Sequence, residues 1–349
     1  MKRIQQLGQQ LLTSDKKETM VSGVTLNENG IPPFESLPLG KDDPRYSAWG
    51  LYGDKDELGS LNRLTDERVA AAARSEIKTG ARVSLNWSLT AQPEPFFARQ
   101  AFRHDIIPKP PFFANDDIWT FNSQSSSQWD GLRHCGYQNE KKFYNGVTME
   151  QVHAVDGEGK KSDVLGIQAW QKHGIVGRGV LVDYHSWRLS QNKPYDPFAH
   201  DSIPASDLKA CLKAQGTEVR FGDILFTRTG FMAAHATKTP ADLQTYRVAE
   251  PQVFSGVAQS EETIRWVWEN FSAVAGDQPT FECWPRRDPQ YWMHEIFLGG
   301  WGMPIGELFD LEALAEKCKQ ENRWSFFVSS EPCHVPGGVA SPPNILAIF

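Results

Sequence analysis

The spacing of apolar positions changes period several times along this chain. In "TDERVAAAARSEIKTG" it predicts a helix from Arg68 to Ile77, with Thr65 as N-cap and Gly80 as stop. In "ARVSLNWSL" the period drops to two, and Val83, Leu85, Trp87 and Leu89 fall on one face of a strand. The segment from Gln92 to Asn115 is rich in Pro and Phe, which predicts a long loop able to wall a pocket. After Asp163 the two patterns alternate. "DVLGIQAWQKHG" predicts a helix, and "RGVLVDYHSW" a buried strand with Val180–Val182 as its apolar run. "SDLKACLKAQG" predicts a helix capped by Ser206 and closed by Gly216, followed by the strand "GDILFTRTGF". "SEETIRWVWENF" predicts a helix with a Ser260 capping box, leading into the short strand "SAVAGD". "LFDLEALAEKCKQEN" and "WSFFVSSEP" close the series as helix and strand.

This order predicts an α/β or α+β domain with a mixed sheet and flanking helices. Residues 1–45 are polar and interrupted by Gly and Pro, so they are expected to form an arm over a single domain of residues 46–349. The strand ends at "VDYH", "TRTG" and "AGDQ" are candidates for one side of a site, since ligands gather at such ends in α/β sheets.

Composition narrows the function classes. The chain has 349 residues, 23% charged and 40% hydrophobic, which fits a globular protein with a large core. A net charge of −7 without basic runs argues against nucleic acid or an anionic membrane as partner. Five scattered cysteines without a CxxC fit free thiols in a reducing compartment. No apolar run is long enough to span a bilayer, and the N-terminus does not read as a secretory signal, so a cytoplasmic location is expected. Twelve Trp and 20 Phe supply either a generous core or an aromatic-lined pocket.

Two stretches carry candidate chemistry. In "QSSSQWDGLRH" a strand would turn Gln128 and Asp130 to the same face. Gln124 and His134 would come near that face if the backbone bends. The competing reading is a polar turn starting at Asp130-Gly131. In "HEIFLGGWGMPIGE" the glycines 299, 300, 302 and 306 exclude one regular helix, and His294 and Glu307 could meet across a Gly-rich turn. Taken alone, a surface His and an ordinary Glu explain that stretch as well. "GIVGRG" precedes a strand, so it is no dinucleotide fingerprint, and no G-x-S-x-G occurs. Cys135 adjoins His134, but neighbours in a strand face opposite ways, which disfavours a Cys–His pair. His185 follows a buried strand and could face a pocket.

The order of these motifs, followed by "GVLVD", "GDILFTRTG", "AVAGD" and a terminal "GGVASPPNILAIF", resembles the cyclase family that includes bacterial kynurenine formamidase and isatin hydrolase. The likeness runs from about Ser84 to the C-terminus, and "SAWGLYGDKDELGSLN" resembles the entry segment of one branch. The resemblance implies a swivelling β/β/α domain assembled as a homodimer or homotetramer. The family motif H-x-G-T-H-x-D-x-P-x-H supplies three metal ligands and a terminal catalytic His, and a later His and Glu complete the metal site. Laid on this chain, the metal Asp is Asp130, the acid–base His is His134, and the later pair is His294 and Glu307. The first two His positions are Gln124 and Gln128. Two amides are poor zinc ligands, so the set of Gln124, Gln128, Asp130, His294 and Glu307 suits Mn²⁺ or Mg²⁺ better than Zn²⁺, with a metal-free site as the alternative. Trp129, Tyr137, His185, Trp187 and the rings of Phe96, Phe97, Phe112 and Phe113 are candidate contacts for a flat small-molecule substrate.

The resemblance thus implies a hydrolase of an amide, lactam or lactone, with Asp130 and His134 as the catalytic pair. Loss of both motif histidines favours the alternative, a metal-independent cyclase, dehydratase or isomerase using His134 and Asp130. A binding protein without catalysis would not need Asp130, His134, His294 and Glu307 together.

Overall fold

Four buried apolar runs form the centre of the fold. The computed structural model describes residues 20–349, so the first part of the expected arm, residues 1–19, lies outside the described residues. Nine strands form one sheet: β1 Arg82–Ser84, β2 Gln128–Asp130, β3 Ile175–Val182, β4 Asp223–Thr227, β5 Phe271–Gly276, β6 Ile305–Glu307, β7 Ser325–Ser330, β8 Ala340–Ser341 and β9 Ile345–Ile348. Their spatial order is β8-β2-β6-β5-β4-β3-β7-β9-β1. Strands β3, β4, β5 and β6 run parallel, and β2, β7, β8, β9 and β1 are joined to them and to each other by antiparallel pairings.

Both faces of the parallel centre are covered, as continuous apolar strands require. Val180, Val182, Leu225, Val274 and Ile305 point into one layer with Leu208 and Leu212 of the helix Ala205–Ala214 and Ile264 and Val267 of the helix Glu261–Asn270. Leu181, Ile224, Phe226, Ala273 and Ala275 point into the other, with Leu314 and Cys318 of the helix Glu312–Glu321. Burying one such side chain contributes roughly 1.5–3 kcal/mol, so the two layers hold the sheet rigid beneath its strand ends. The described part of the arm joins the first layer through Ile31, Phe34, Leu37 and Leu39, and Trp268 donates its indole N–H to the Pro32 carbonyl.

Local signals set several boundaries. Thr65 caps the helix Asp66–Glu76 by accepting from the Arg68 amide, and Ser260 caps Glu261–Asn270 by accepting from the Thr263 amide. Ser206, expected as a cap, instead lies inside the first turn of Ala205–Ala214, which begins after Pro204. "DVLGIQAWQKHG" yields only the single turn Gln168–Gln171, because Leu165 takes a left-handed conformation and Gly174 another. The strand expected through Leu89 stops at Ser84. There the Asn86 side chain takes both backbone groups of Ile345 and ends the ladder. The stretch expected as a loop, Gln92 to Asn115, instead holds the first strand and tip of a hairpin, Arg103–Pro108 paired with Asn115–Thr120, that stands in solvent. Phe112 and Phe113 sit at its exposed tip and wall no pocket, whereas Phe96 is core. Among the described residues no helix is long and apolar enough to cross a membrane.

Candidate active site

The two candidate stretches meet as neighbouring strands. β2 and β6 pair antiparallel, with Gln128 opposite Glu307, Trp129 opposite Gly306 and Asp130 opposite Ile305. Alternation sends Gln128 and Asp130 to one face and Trp129 to the other. The Trp129 ring fills the core against Phe309, and its indole donates to Ser330 Oγ. Fully buried there, it cannot touch a substrate, and the candidate role does not survive. Gly306 leaves the space this indole occupies: a Cβ there would meet Ala275, Phe309 and Trp129 at 2.7–2.9 Å.

The strand ends at Asp130, and a turn closed by the His134 amide on the Gly131 carbonyl carries His134 back beside it. Strand and polar turn are therefore both present. The Asp130 carboxyl is fully buried, and neither oxygen has a hydrogen-bond partner. His134 Nε2 stands 3.9 Å and His294 Nε2 4.0 Å from Asp130 Oδ2. Ligand atoms of Asp130, His134 and His294 all lie within 4.8 Å of one another. Burial, then the Glu307 charge, push the Asp130 carboxyl well above the usual carboxylate range. Burial, with the charges of His294 and Arg99, lowers His134 to about 3, so its imidazole is neutral near pH 7.

His294 is the N-cap of a π-helical segment, Glu295–Trp301, in which Gly299 and Gly300 lie against Tyr137. Such segments often mark functional sites, where the wider turn re-aims a side chain. The His294 ring is held at both nitrogens: Nδ1 lies 2.5 Å from Glu282 and Nε2 3.3 Å from Glu307. Burial alone would lower its pKa, but hydrogen bonds to the two carboxylates prevail and raise it well above the ordinary range. Glu282 also accepts the backbone amides of Met293 and His294. Sequence reasoning missed this residue. Its only signal is a lone carboxylate within the apolar loop "PTFECWP".

The two glutamines do different things. Gln128 Nε2 donates to Glu307 Oε2 at 3.0 Å, and its Oε1 is buried without a partner. Gln124 meets the acid–base candidate: its amide lies 2.6 Å from His134 Nδ1. As placed, Gln124 Nε2 faces Nδ1 and donates to it; with the amide turned over, its carbonyl accepts the Nδ1 proton instead, which leaves a lone pair on the Nε2 that faces Asp130.

The remaining candidates divide by place. Tyr137 lines a cavity of about 690 Å³ beside His134, although its hydroxyl donates to the Arg45 carbonyl. A second cavity of about 470 Å³ also reaches His134, with Phe143 and Met149 shared between the two. His185 and Trp187 lie on the helix Tyr184–Ser190 after β3. There His185 abuts Gly230 and Trp187 packs on Tyr184, so neither joins the Asp130 cluster. The Cys135 thiol is pushed up to about 12 by burial, which rules out a thiolate nucleophile near neutral pH.

The donor set fits a divalent cation. Asp130, with two unpartnered buried oxygens, has Oδ2 4.0 Å from His294 Nε2, and Gln128, on the same face of β2, adds a third unpartnered oxygen; the other His294 nitrogen is anchored by Glu282 as metal-binding imidazoles usually are. Such an oxygen-rich set suits a hard cation.

Comparison with known proteins agrees with this architecture. The profile of the family described as "Putative cyclase" matches residues 52–282, and the chain belongs to that cyclase family. A crystal structure described as a novel cyclase is 30% identical, with a TM-score of 0.75, over 87% of this chain and 99% of that one. Isatin hydrolase A from Ralstonia solanacearum shares the fold at 14% identity and a TM-score of 0.52, over 82% of this chain and 98% of its own. An isatin hydrolase bound to the product analogue thioisatinate does so at 13% identity and 0.51, over 80% and 96%. No curated protein matches the chain.

Proposed function

We propose that this protein hydrolyses an amide, lactam or lactone bond of a cyclic or aromatic small molecule, with His134 as general acid–base. One observation carries the reading: a buried Asp130 carboxyl without partners, faced at 3.9 and 4.0 Å by Nε2 of His134 and His294. The fold shared with isatin hydrolases supports a reaction of this class.

His134 is the one member of the cluster with appreciable exposure, and it borders both adjoining cavities. Neutral and held at Nδ1 by Gln124, its Nε2 takes the proton of the attacking water. The water oxygen adds to the carbonyl carbon, the C–N or C–O bond breaks, and the same proton passes to the leaving atom. Asp130 lies beside this nitrogen, and in its ionised form, which binding of a cation would favour, its carboxylate offsets the charge of the transient imidazolium. Mn²⁺ or Mg²⁺ held by Asp130, His294, Glu307 and the free Gln128 oxygen would polarise the scissile carbonyl and acidify the water.

A second reading, metal-independent cyclisation, dehydration or isomerisation, is favoured by one contact. Gln128 already donates to Glu307, which lessens the demand of that carboxylate for a cation. Product analysis by NMR on a panel of aryl amides, lactams and lactones, with chelator and with added Mn²⁺, separates the two. The hydrolase reading expects water-addition products, loss of turnover with chelator, and a 10²- to 10⁴-fold loss in His134→Ala. Dehydrated or rearranged products, unaffected by chelator, would establish the second reading instead.

A further inference from the structure

A cleft of about 690 Å³ shares no lining residue with the cavities beside His134. Two guanidinium groups, Arg99 and Arg247, and two rings, Phe97 and Trp284, line it. Arg247 Nε is buried and has no hydrogen-bond partner. The carboxylate facing this arginine, Glu94, is 4.0 Å away, beyond hydrogen-bond distance, and its side chain is 66% exposed. Glu250 on the same rim is exposed as well, so solvent screens both acids more than it screens the half-buried arginines. Arg99 spends one donor on the Gln124 carbonyl and lays its guanidinium over the Phe97 ring.

The apolar wall is specifically built. Phe97 and Ala98 both have positive φ, 61° and 53°, a conformation that side chains bearing a Cβ seldom adopt. Gln252 Oε1 holds it by accepting the Phe97 amide. The result sets the Phe97 ring edge-on to Trp284, at 6.1 Å between centroids. Unspent guanidinium donors beside aromatic rings match a planar acid, since a guanidinium fork pairs with a carboxylate through two parallel hydrogen bonds.

We propose that this cleft binds a small aromatic carboxylate, with its ring against Phe97 and Trp284 and its carboxylate on Arg247 and Arg99. The site stands on its own geometry, and its test needs no turnover, so it succeeds or fails apart from the hydrolase reading. Calorimetric titration with benzoate and with its neutral analogue benzamide reads it directly. Benzoate is expected to bind one site, at least tenfold tighter than benzamide. Arg247→Met keeps an unbranched apolar side chain but removes the guanidinium, whose carbon lies 5.6 Å over the Phe96 ring, and is expected to weaken benzoate at least tenfold while leaving benzamide unchanged. Equal binding of the two probes, or a folded Arg247→Met protein that binds benzoate as wild type does, overturns the proposal. Where Arg247→Met lacks the native melting transition, Arg247→Lys replaces it. That variant keeps the charge but not the fork, and undiminished benzoate affinity in it overturns the proposal equally.

Discussion

Gln124 occupies a position where the family motif places an imidazole, yet its amide meets another side chain, His134, at 2.6 Å. Its part in the proposed reaction is to position the acid–base residue, and this can be tested apart from folding. Gln124→Glu puts a negative charge beside Nδ1 and so raises the depressed His134 pKa. The acid limb of the kcat/KM profile is then expected to move to higher pH, by at least one unit. Gln124→Leu removes the contact and is expected to lower kcat about 10- to 100-fold with little change in KM. A profile unmoved by Glu would mean that the contact does not govern His134. The neighbouring groups give a second prediction. Asp130 and His294 both hold protons above their ordinary ranges, and a cation must displace those protons to bind. Mn²⁺ affinity is therefore expected to rise at least tenfold from pH 6 to pH 8, with proton release visible as a buffer-dependent heat in calorimetry. Affinity independent of pH would place the cation elsewhere. At this scale much of the site was legible. The period-two reading that turns Gln128 and Asp130 to one face also turns Trp129 to the other, so the burial of that indole was implicit in it. Glu282 was not legible, because nothing local distinguishes a loop carboxylate that anchors an imidazole from one that faces water.

Among the elements, signals within a few residues were readable and those set by a distant partner were not. Thr65 and Ser260 cap their helices because a hydroxyl reaches an amide three residues on. The length of β1 depends instead on Asn86 capturing Ile345, some 260 residues away. The glycines after His294 signalled an irregular helix, and the segment adopts the π-helical form. β6 offers the sharpest test at this level. A methyl group at position 306 would meet side chains on both sides of the strand, and overpacking of that kind costs roughly 1–3 kcal/mol. Gly306→Ala is therefore expected to lower the denaturation midpoint. It should also weaken metal binding, since Glu307 is the next residue on the strand. Wild-type stability in that variant would show that the Trp129 layer can yield.

For the whole molecule, the alternation of helix and strand after Asp163 predicted a mixed sheet sandwiched between helices, and the nine strands bear it out. The segment before it was the less readable half, because its hairpin is amphipathic to nothing in the chain: all but one of its strand residues are exposed. A two-stranded ribbon contributes little stability by itself. That makes the hairpin a natural breakpoint. Chymotrypsin is expected to cut first after Phe112 or Phe113, as followed by mass spectrometry, well before any site in the sheet. An initial cut elsewhere would mean that the tip is shielded in solution. The order of strands determines what such a nick does next. The piece before it contributes β1 at one edge of the sheet, and the piece after it contributes β2 and the seven others. Strand β1 is hydrogen-bonded to β9, and the helix Asp66–Glu76 gives Glu76 to the buried Arg178 of β3. The severed chain would stay together as a two-piece protein that retains its binding pockets, and the two halves could be expressed separately and recombined as a split reporter of their own reassembly.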